Sequence, residues 1–305
     1  MDFSLSQDQK MIREMVREFA TNELEPIAAE IDESREFPRA SLKKMAELGL
    51  MGVVIPEEYG GAGMDFTSLA IIVEEISRVC ASTGVITAVN NSLAAYPIFH
   101  FGTEEQRRKY LPDLCSGKKL GAIGITEANA GSDPASMETT AVLEGDHYKL
   151  NGSKLWITNG EVADTFIIFA YTDPSVRHKG MSAFIVEKDH PGFSVGKHEN
   201  LMGIRATGNC ELIFDDCVVP KENILGEEGQ GFKIVMHTLD VSRIDIGAQG
   251  VGISQGAIDA AVKYAKERVQ FGKPIAEFEM IVDATCSPFT CTRTSGIGAI
   301  DHGET

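Results

Sequence analysis

The feature that most restricts the fold is a double change of hydrophobic rhythm. Apolar residues recur at helical spacing over residues 1–118, at strand-like spacing over 119–230 and at helical spacing again over 231–281. Helices confined to the two ends and strands gathered in the middle do not make an alternating, doubly wound parallel sheet, so the pattern predicts an α+β chain. In the first stretch Met11, Ile12, Met15, Val16 and Phe19 share one helical face behind a Ser6-Gln7-Asp8-Gln9 capping box. Pro26 is expected to kink or end that helix. A further apolar stripe begins near Pro38 and stops at Gly49, and Leu69, Ile72, Val73, Ile76 and Val79 mark another helix. Thr103-Glu104-Glu105-Gln106 is a second capping box, opening a helix that Gly117 closes.

The middle stretch consists of short β-prone runs, GAIGIT, HYKLNGSKLWITNG, TFIIFAYTD, SAFIVE and CELIFDDCVVP, separated by turn residues. Asn151-Gly152 lies between Tyr148-Lys149-Leu150 and Lys154-Leu155-Trp156 and predicts a hairpin turn there, because both central residues of such a turn need positive φ. After Gly231, the residues Val241, Ile244, Ala248, Val251, Ile258, Val262, Ala265 and Val269 fall on one long helical face. The rhythm fails near Ile281, and residues 282–305 supply no further amphipathic helix.

Charge and cysteine usage narrow the function classes. A net charge of −17 without a basic stripe excludes binding driven by contacts to nucleic-acid phosphates. No apolar run reaches the roughly 20 residues of a bilayer span, and MDFSLSQDQK reads as neither a secretory signal nor a transit peptide, so a cytoplasmic protein is expected. The six cysteines lack paired spacing; even Cys286 and Cys291, the nearest to a pair, have no partners to complete a zinc site. The seven histidines show no metal-binding spacing either.

Two short motifs fail on context. Gly252-Ile253-Ser254-Gln255-Gly256 matches a hydrolase nucleophile elbow, but it sits inside a helical pattern instead of at a strand-to-helix turn. No G-x-G-x-x-G follows a strand, so a nicotinamide dinucleotide fold has no support. The stronger constellation is Ile125-Thr126-Glu127-Ala128-Asn129-Ala130-Gly131-Ser132-Asp133, a loop of small and polar residues leaving a β-prone run. It can bring main-chain N–H groups and hydroxyls close to a planar polar ligand, or it can be an ordinary turn. Trp156-Ile157-Thr158 sets an indole beside a hydroxyl; the alternative is that Trp156, the only tryptophan, is simply core.

TEANAGSD, LNGSKLWITNG, LGEEGQGFKIVMHTLD, SRI and ERVQFGKPI, in this order and spacing, resemble the acyl-CoA dehydrogenase family from residue 1 to about 281. AVNNSLAAYPI and MGIRATGN are most similar to its short-chain, butyryl-CoA members. The resemblance implies an N-terminal helical domain over 1–118, a middle β-sheet or barrel domain over 119–230 and the start of a C-terminal helical domain over 231–281, assembled as a dimer or tetramer. It implies FAD as cofactor, an acyl-CoA substrate desaturated between Cα and Cβ in fatty-acid β-oxidation, and an electron-transfer flavoprotein as acceptor. Residues 123–132 and 156–158 would hold the flavin: Ile123, Gly124, Ile125, Thr126 and Ser132, with Trp156, Ile157 and Thr158, the two threonines bonding the ring's polar edge. Ser132 and Ser182 would reach the coenzyme A arm, and Asp240 and Arg243 its nucleotide end. Arg268, Gln270 and Phe271 would contact the FAD of a partner subunit; the plain reading of Arg268 is a solvated helix residue paired with an acid.

The family's base is a glutamate in a Tyr-Glu-Gly-Thr segment that residues 1–305 do not contain. Some relatives carry it on the long helix immediately before an arginine, where this chain has Ser242, a hydroxyl too weak to serve unaided. The resemblance and the helical rhythm both end near residue 281. The expectation is therefore an impaired enzyme whose tail, 282–305, comes from a frameshift or early end, with no catalytic base assigned. The competing expectation is a non-catalytic flavin- or acyl-CoA-binding remnant, or a protein that joins other subunits.

Overall fold

The computed structural model describes residues 4–281. Seven helices come first: α1 (Gln7–Phe19), α2 (Glu25–Ser34), α3 (Arg39–Glu47), α4 (Phe66–Ser77), α5 (Ala81–Ala88), α6 (Tyr96–Phe101) and α7 (Glu104–Cys115). Eight strands follow: β1 (Gly121–Gly124), β2 (Thr140–Glu144), β3 (His147–Ile157), β4 (Thr165–Tyr171), β5 (Met181–Glu187), β6 (Phe193–His198), β7 (Cys210–Pro220) and β8 (Ile224–Leu225). Then come α8 (Gly231–Glu267) and a small ribbon of β9 (Val269–Gln270) and β10 (Lys273–Pro274). The α+β reading holds, with helical regions before and after a middle sheet. The chain divides into two compact units, one of residues up to 29, 65–85 and from 243 onward, the other of 30–64 and 86–242. Cys286 and Cys291 lie outside the described residues.

Within the first unit, both partners of the Ser6/Gln9 capping box are in place, Gln9 N–H donating to Ser6 Oγ at 3.1 Å and Ser6 N–H to Gln9 Oε1 at 3.0 Å. Pro26, expected to kink or end the helix, does not end it. A π-turn over Ala20–Leu24 widens the backbone, so that Glu25 N–H reaches back to Ala20 O, and Pro26 falls in the first turn of α2. Arg17 grips the buried Glu75 of α4 through two bonds of 2.9 and 2.6 Å. On α8, Ile244, Ala248, Val251 and Ala265 are buried as the apolar stripe predicts, but the helix stops at Glu267 and Val269 lies exposed in β9.

The G-x-S-x-G stretch has a packing cause. A Cβ on Gly252 would meet Glu74 O at 2.2 Å, and one on Gly256 would meet Arg78 O at 2.0 Å. Two glycines one helical turn apart let α8 approach the end of α4 closely. Ser254 Oγ, between them, donates to Gly250 O at 2.8 Å inside its own helix.

The second unit is built on the sheet, ordered β6-β7-β3-β2-β4-β5-β8, with β1 pairing parallel to β4 in register Gly121↔Thr165. Strand β4 alternates across two buried layers. Phe166, Ile168 and Ala170 join Tyr148, Leu150, Phe184 and Leu212 on one side. Ile167, Phe169 and Tyr171 face Tyr110, Leu111 and Leu114 of α7 and Ile234 and Val235 of α8 on the other. Central burial on both faces explains why TFIIFAY reads as an unbroken apolar run.

The predicted turn at Asn151-Gly152 is corrected. Strand β3 runs through both residues, and the chain reverses at Gly145-Asp146, where Gly145 has φ 67° and Glu144 pairs with His147. Asn151 and Gly152 instead lie opposite a bulge in β7, where Asp215 and Asp216 together face Asn151 and Asp216 has φ 46°. A Cβ on Gly152 would meet Thr139 Oγ1 at 2.5 Å, and Asn151 exchanges two bonds with Asp216, at 3.0 and 2.9 Å. Close backbone approach and tight turns both call for glycine, so the dipeptide alone cannot tell them apart.

Candidate functional site

Strand β1 delivers Ile123 and Gly124 into the sheet and releases the chain at Ile125 and Thr126. There Leu155 N–H of β3 donates to Thr126 O at 2.8 Å, which joins the Thr126 segment to the stretch carrying Trp156 and Thr158. The loop beyond is anchored by Glu127. Its N–H donates to Ala130 O and its O accepts from Ala130 N–H, closing a small ring of backbone. Its carboxylate takes the Glu138 N–H at 2.5 Å, the Thr139 N–H at 3.1 Å, the Thr139 hydroxyl at 2.5 Å and the Lys154 ammonium at 2.6 Å. Lys154 is fully buried and also donates to Ile125 O at 3.3 Å. Burial works to raise the Glu127 pKa, but the Lys154 charge and these donors outweigh it and hold the group below its ordinary value. Burial likewise pushes Lys154 down to about 8, against the pull of Glu127. The anchored loop leaves Ser132 exposed, and a Cβ on Gly131 would meet nothing within 4 Å.

At the end of β3 the pairing with β7 shifts register between Lys154 and Ile157, and Trp156 adopts φ 56°. A bulky residue with positive φ is a backbone outlier, and here it turns the indole outward, 58% exposed. Trp156 is not core. Asn159 also has positive φ, 66°, and pins the following turn: its N–H donates to Thr207 O at 2.9 Å and its Nδ2 to Gly121 O at 3.1 Å. Ile157 is buried beneath, and Thr158 Oγ1 accepts from Asn209 Nδ2 at 3.5 Å. Ile123, Gly124, Ile125, Thr126, Trp156, Ile157 and Thr158 thus belong to two segments of one unit that the Leu155–Thr126 bond joins.

The other expected residues are placed differently. Ser182 is fully buried in β5; its Oγ accepts the Gly229 N–H at 2.9 Å and shares a bond with Thr172 Oγ1 at 2.9 Å, so its side chain faces no open surface. Asp240 and Arg243 are exposed along α8. Ser242, between them in sequence, is buried, its hydroxyl 3.3 Å from Leu239 O. In the first unit Arg268 is exposed and forms no ion pair among the described residues, contrary to the plain reading of a paired surface arginine. Gln270 ends β9, and Phe271, with φ 53°, is 93% exposed at the tip of the β9–β10 ribbon beside Gly272 at φ 78°.

The sequence reading missed Lys154 and Asn209. Both stand inside or beside the motifs it quoted, but lysine is a residue type that is almost always exposed, and Asn209 in a Gly-Asn pair reads as a turn. Burial makes three of the described cysteines poor nucleophiles. Cys115, Cys210 and Cys217 are buried thiols whose pKa burial pushes up to about 12. Among the described residues no cluster of histidine, cysteine and acidic side chains is arranged to hold a metal ion, and no helix is long and apolar enough to cross a membrane.

Comparison with known proteins decides the family. Residues 6–118 match the acyl-CoA dehydrogenase N-terminal domain, 122–217 the middle domain and 229–285 the C-terminal domain. The chain belongs to the acyl-CoA dehydrogenase family. Acyl-CoA dehydrogenases are FAD-dependent oxidoreductases. The short-chain specific acyl-CoA dehydrogenase of Clostridium acetobutylicum is 55% identical over 279 residues, 92% of this chain and 74% of that one. The solved butyryl-CoA dehydrogenase of Megasphaera elsdenii superposes with a TM-score of 0.93 at 42% identity, over 96% of this chain and 78% of that one. An acyl-CoA dehydrogenase of Bacillus anthracis, solved with FAD, gives a TM-score of 0.91 at 40% identity, over 97% of this chain and 51% of that one.

The residues of this chain fit a flavin. Among the described residues neither the Thr126 nor the Thr158 hydroxyl donates to a protein group, and the exposed indole of Trp156 belongs to the same pair of segments. Uncommitted hydroxyl donors beside an open aromatic face suit a planar ligand with a polar edge.

Proposed function

We propose that this chain carries the flavin- and thioester-binding machinery of a short-chain acyl-CoA dehydrogenase. The observation that carries the proposal is a pair of hydroxyls, Thr126 and Thr158, that donate to no protein group among the described residues, on segments joined by the 2.8 Å bond from Leu155 N–H. FAD, when bound, accepts the hydride leaving Cβ of an acyl-CoA. The chain's residues hold and polarise it: Ile123, Gly124, Ile125 and Ile157 shape the bed, Thr126 and Thr158 donate to the ring's polar edge, and Trp156 covers a ring face. Donors fixed before reaction at a site of growing negative charge need no reorganisation when that charge arrives. Ser132, exposed on the anchored loop, bonds the cofactor or the coenzyme A arm, and Asp240 and Arg243 serve the nucleotide end. Ser182 acts indirectly, holding the Gly229 turn through its hydroxyl. Arg268, Gln270 and Phe271 reach toward the FAD of another copy, in a dimer or tetramer. The exposed guanidinium of Arg268, which forms no ion pair among the described residues, and the projecting Phe271 support that assignment. An electron-transfer flavoprotein is the acceptor that the family resemblance supplies, and the cytoplasm is the compartment.

A second reading is favoured by Ser242. Where some relatives carry the carboxylate that takes the α-proton, this chain has a buried hydroxyl bonded to Leu239 O. Residues 1–305 on their own then bind flavin and acyl-CoA without desaturating the thioester, or at a much reduced rate. Titrating the FAD-loaded protein with butyryl-CoA separates the two. Loss of the long-wavelength flavin band demands a working base; a shifted band that does not bleach supports the binding-only reading. A protein that takes up no flavin refutes both.

A further inference from the structure

The Thr158 hydroxyl is steered by a side chain that no motif of the flavin site includes. Asn209 stands immediately before β7, its backbone held by the Glu199 N–H donating to Asn209 O at 3.0 Å, and by the neighbouring bonds Asn159 N–H to Thr207 O and Glu161 N–H to Gly208 O. Its Nδ2 donates to Thr158 Oγ1 at 3.5 Å. Its Oδ1 is buried and has no partner among the described residues. A hydroxyl has one proton and two lone pairs. When one lone pair receives the amide N–H, the proton must point elsewhere, and among the described residues no protein acceptor takes it. A buried carbonyl oxygen left without a donor is unfavourable, and a purely structural position would shed that cost with an apolar or hydroxyl side chain.

We propose that Asn209 is a positioning residue for the flavin: by donating to Thr158 Oγ1 it fixes that hydroxyl as a donor directed at the polar edge of the ring. The inference rests on the flavin assignment of the preceding section and goes beyond it. It assigns a task to a residue outside the loops at 123–132 and 156–158, and it requires one orientation of the Asn209 amide. In the reverse orientation Oδ1 would take the Thr158 proton and the ring would lose the donor.

The test uses the full chain and four variants: Asn209→Ala, the near-isosteric Asn209→Asp, Thr158→Val and the double Thr158→Val/Asn209→Ala. FAD affinity is read from quenching of flavin fluorescence, and the midpoint potential of the bound flavin from equilibration with reference dyes. Asn209→Ala is expected to weaken FAD binding roughly three- to tenfold and to lower the potential, since a donor to the reduced ring has been loosened. Asn209→Asp is expected to lower the potential further, because a carboxylate only accepts and captures the Thr158 proton. The double variant is expected to match Thr158→Val alone, because Asn209 acts through that hydroxyl. Unchanged affinity and potential in Asn209→Ala, or additive losses in the double variant, overturn the proposal. If Asn209→Ala does not fold, Asn209→Asp decides alone: a potential equal to that of the unsubstituted protein refutes the idea. Failure of the unsubstituted chain to bind FAD removes the flavin assignment itself, whereas binding that is indifferent to Asn209 removes only this inference.

Discussion

Replacing Lys154 by methionine tests the pin that anchors the flavin loop. The ammonium is fully buried, 2.6 Å from Glu127 Oε1, and methionine fills nearly the same volume without charge. Removing one partner of a buried pair costs about 3–5 kcal/mol, because the other charge stays behind in a low-dielectric site. Glu127 keeps three donors, from Glu138 N–H and from the N–H and hydroxyl of Thr139, so the lower end of that range is expected, about 3 kcal/mol. A loss of that size lowers the melting temperature by roughly 5 °C in a chain of this length. The single tryptophan follows Leu155 on the same strand, so its fluorescence during urea unfolding reports the transition locally. In Lys154→Met/Glu127→Gln the charge is gone on both sides, and stability should recover to within about 1 kcal/mol of the unsubstituted chain. The acid limb checks the same logic. Glu127 has a folded-state pKa below its unfolded value, so its contribution is full above the unfolded value and disappears as pH falls through the depressed one. Glu127→Gln should therefore flatten the stability loss below about pH 4.5, the ordinary carboxylate value. A single Lys154→Met that costs less than about 1 kcal/mol, or a double variant as unstable as the single, refutes the reasoning.

Gly252→Ala drives a methyl to 2.2 Å from Glu74 O, and the resulting separation of α8 from α4 should cost about 1–3 kcal/mol in denaturant titration, while Ser254→Ala, between the two glycines, should stay within about 0.5 kcal/mol and leave any thioester hydrolysis unchanged. Glu74 is lifted to about 7 by burial and by the neighbouring Glu75 charge; with its folded pKa above the unfolded one, its contribution is full below pH 4.5 and lost as pH rises through 7, so Glu74→Gln should remove that slope from melting temperatures measured between pH 5 and 8. Saturating FAD should quench Trp156 emission strongly, and a spectrum unaltered by FAD would separate the indole from the cofactor.

The fold was legible where a single physical signal dominated. Both capping boxes formed, because the Ser6/Gln9 and Thr103/Gln106 pairs need only local geometry. The change from period 3.6 to period 2 placed the sheet, because β4 is sandwiched and its neighbours alternate around it. Expectations failed where one residue type serves two geometries. Pro26 signals a break in an α-helix, but a preceding π-turn absorbs it. Asn151-Gly152 signals a turn, but β3 runs straight through it, with Asn151 bonded to Asp216 in a bulge of β7. Gly252 and Gly256 spell a catalytic elbow, but their spacing of four is also the spacing of a helix crossing.

The candidate site divides along the same line between local and distant causes. Thr126, Trp156 and Thr158 were visible because loop and strand-end chemistry is written in consecutive residues. What points them is not. The outward indole depends on a register shift between β3 and β7, and the loop's shape depends on a buried lysine, a residue type that ordinarily stays in solvent. Ser182 was read as a ligand contact, yet its hydroxyl is consumed by a turn 47 residues away. Asn209 lies 51 residues from Thr158, and only the pairing of β3 with β7 makes them neighbours. A hydroxyl becomes a directed donor through the group that occupies its lone pair, so the electrostatics of a ring-binding site are set as much by such remote partners as by the motif that names it.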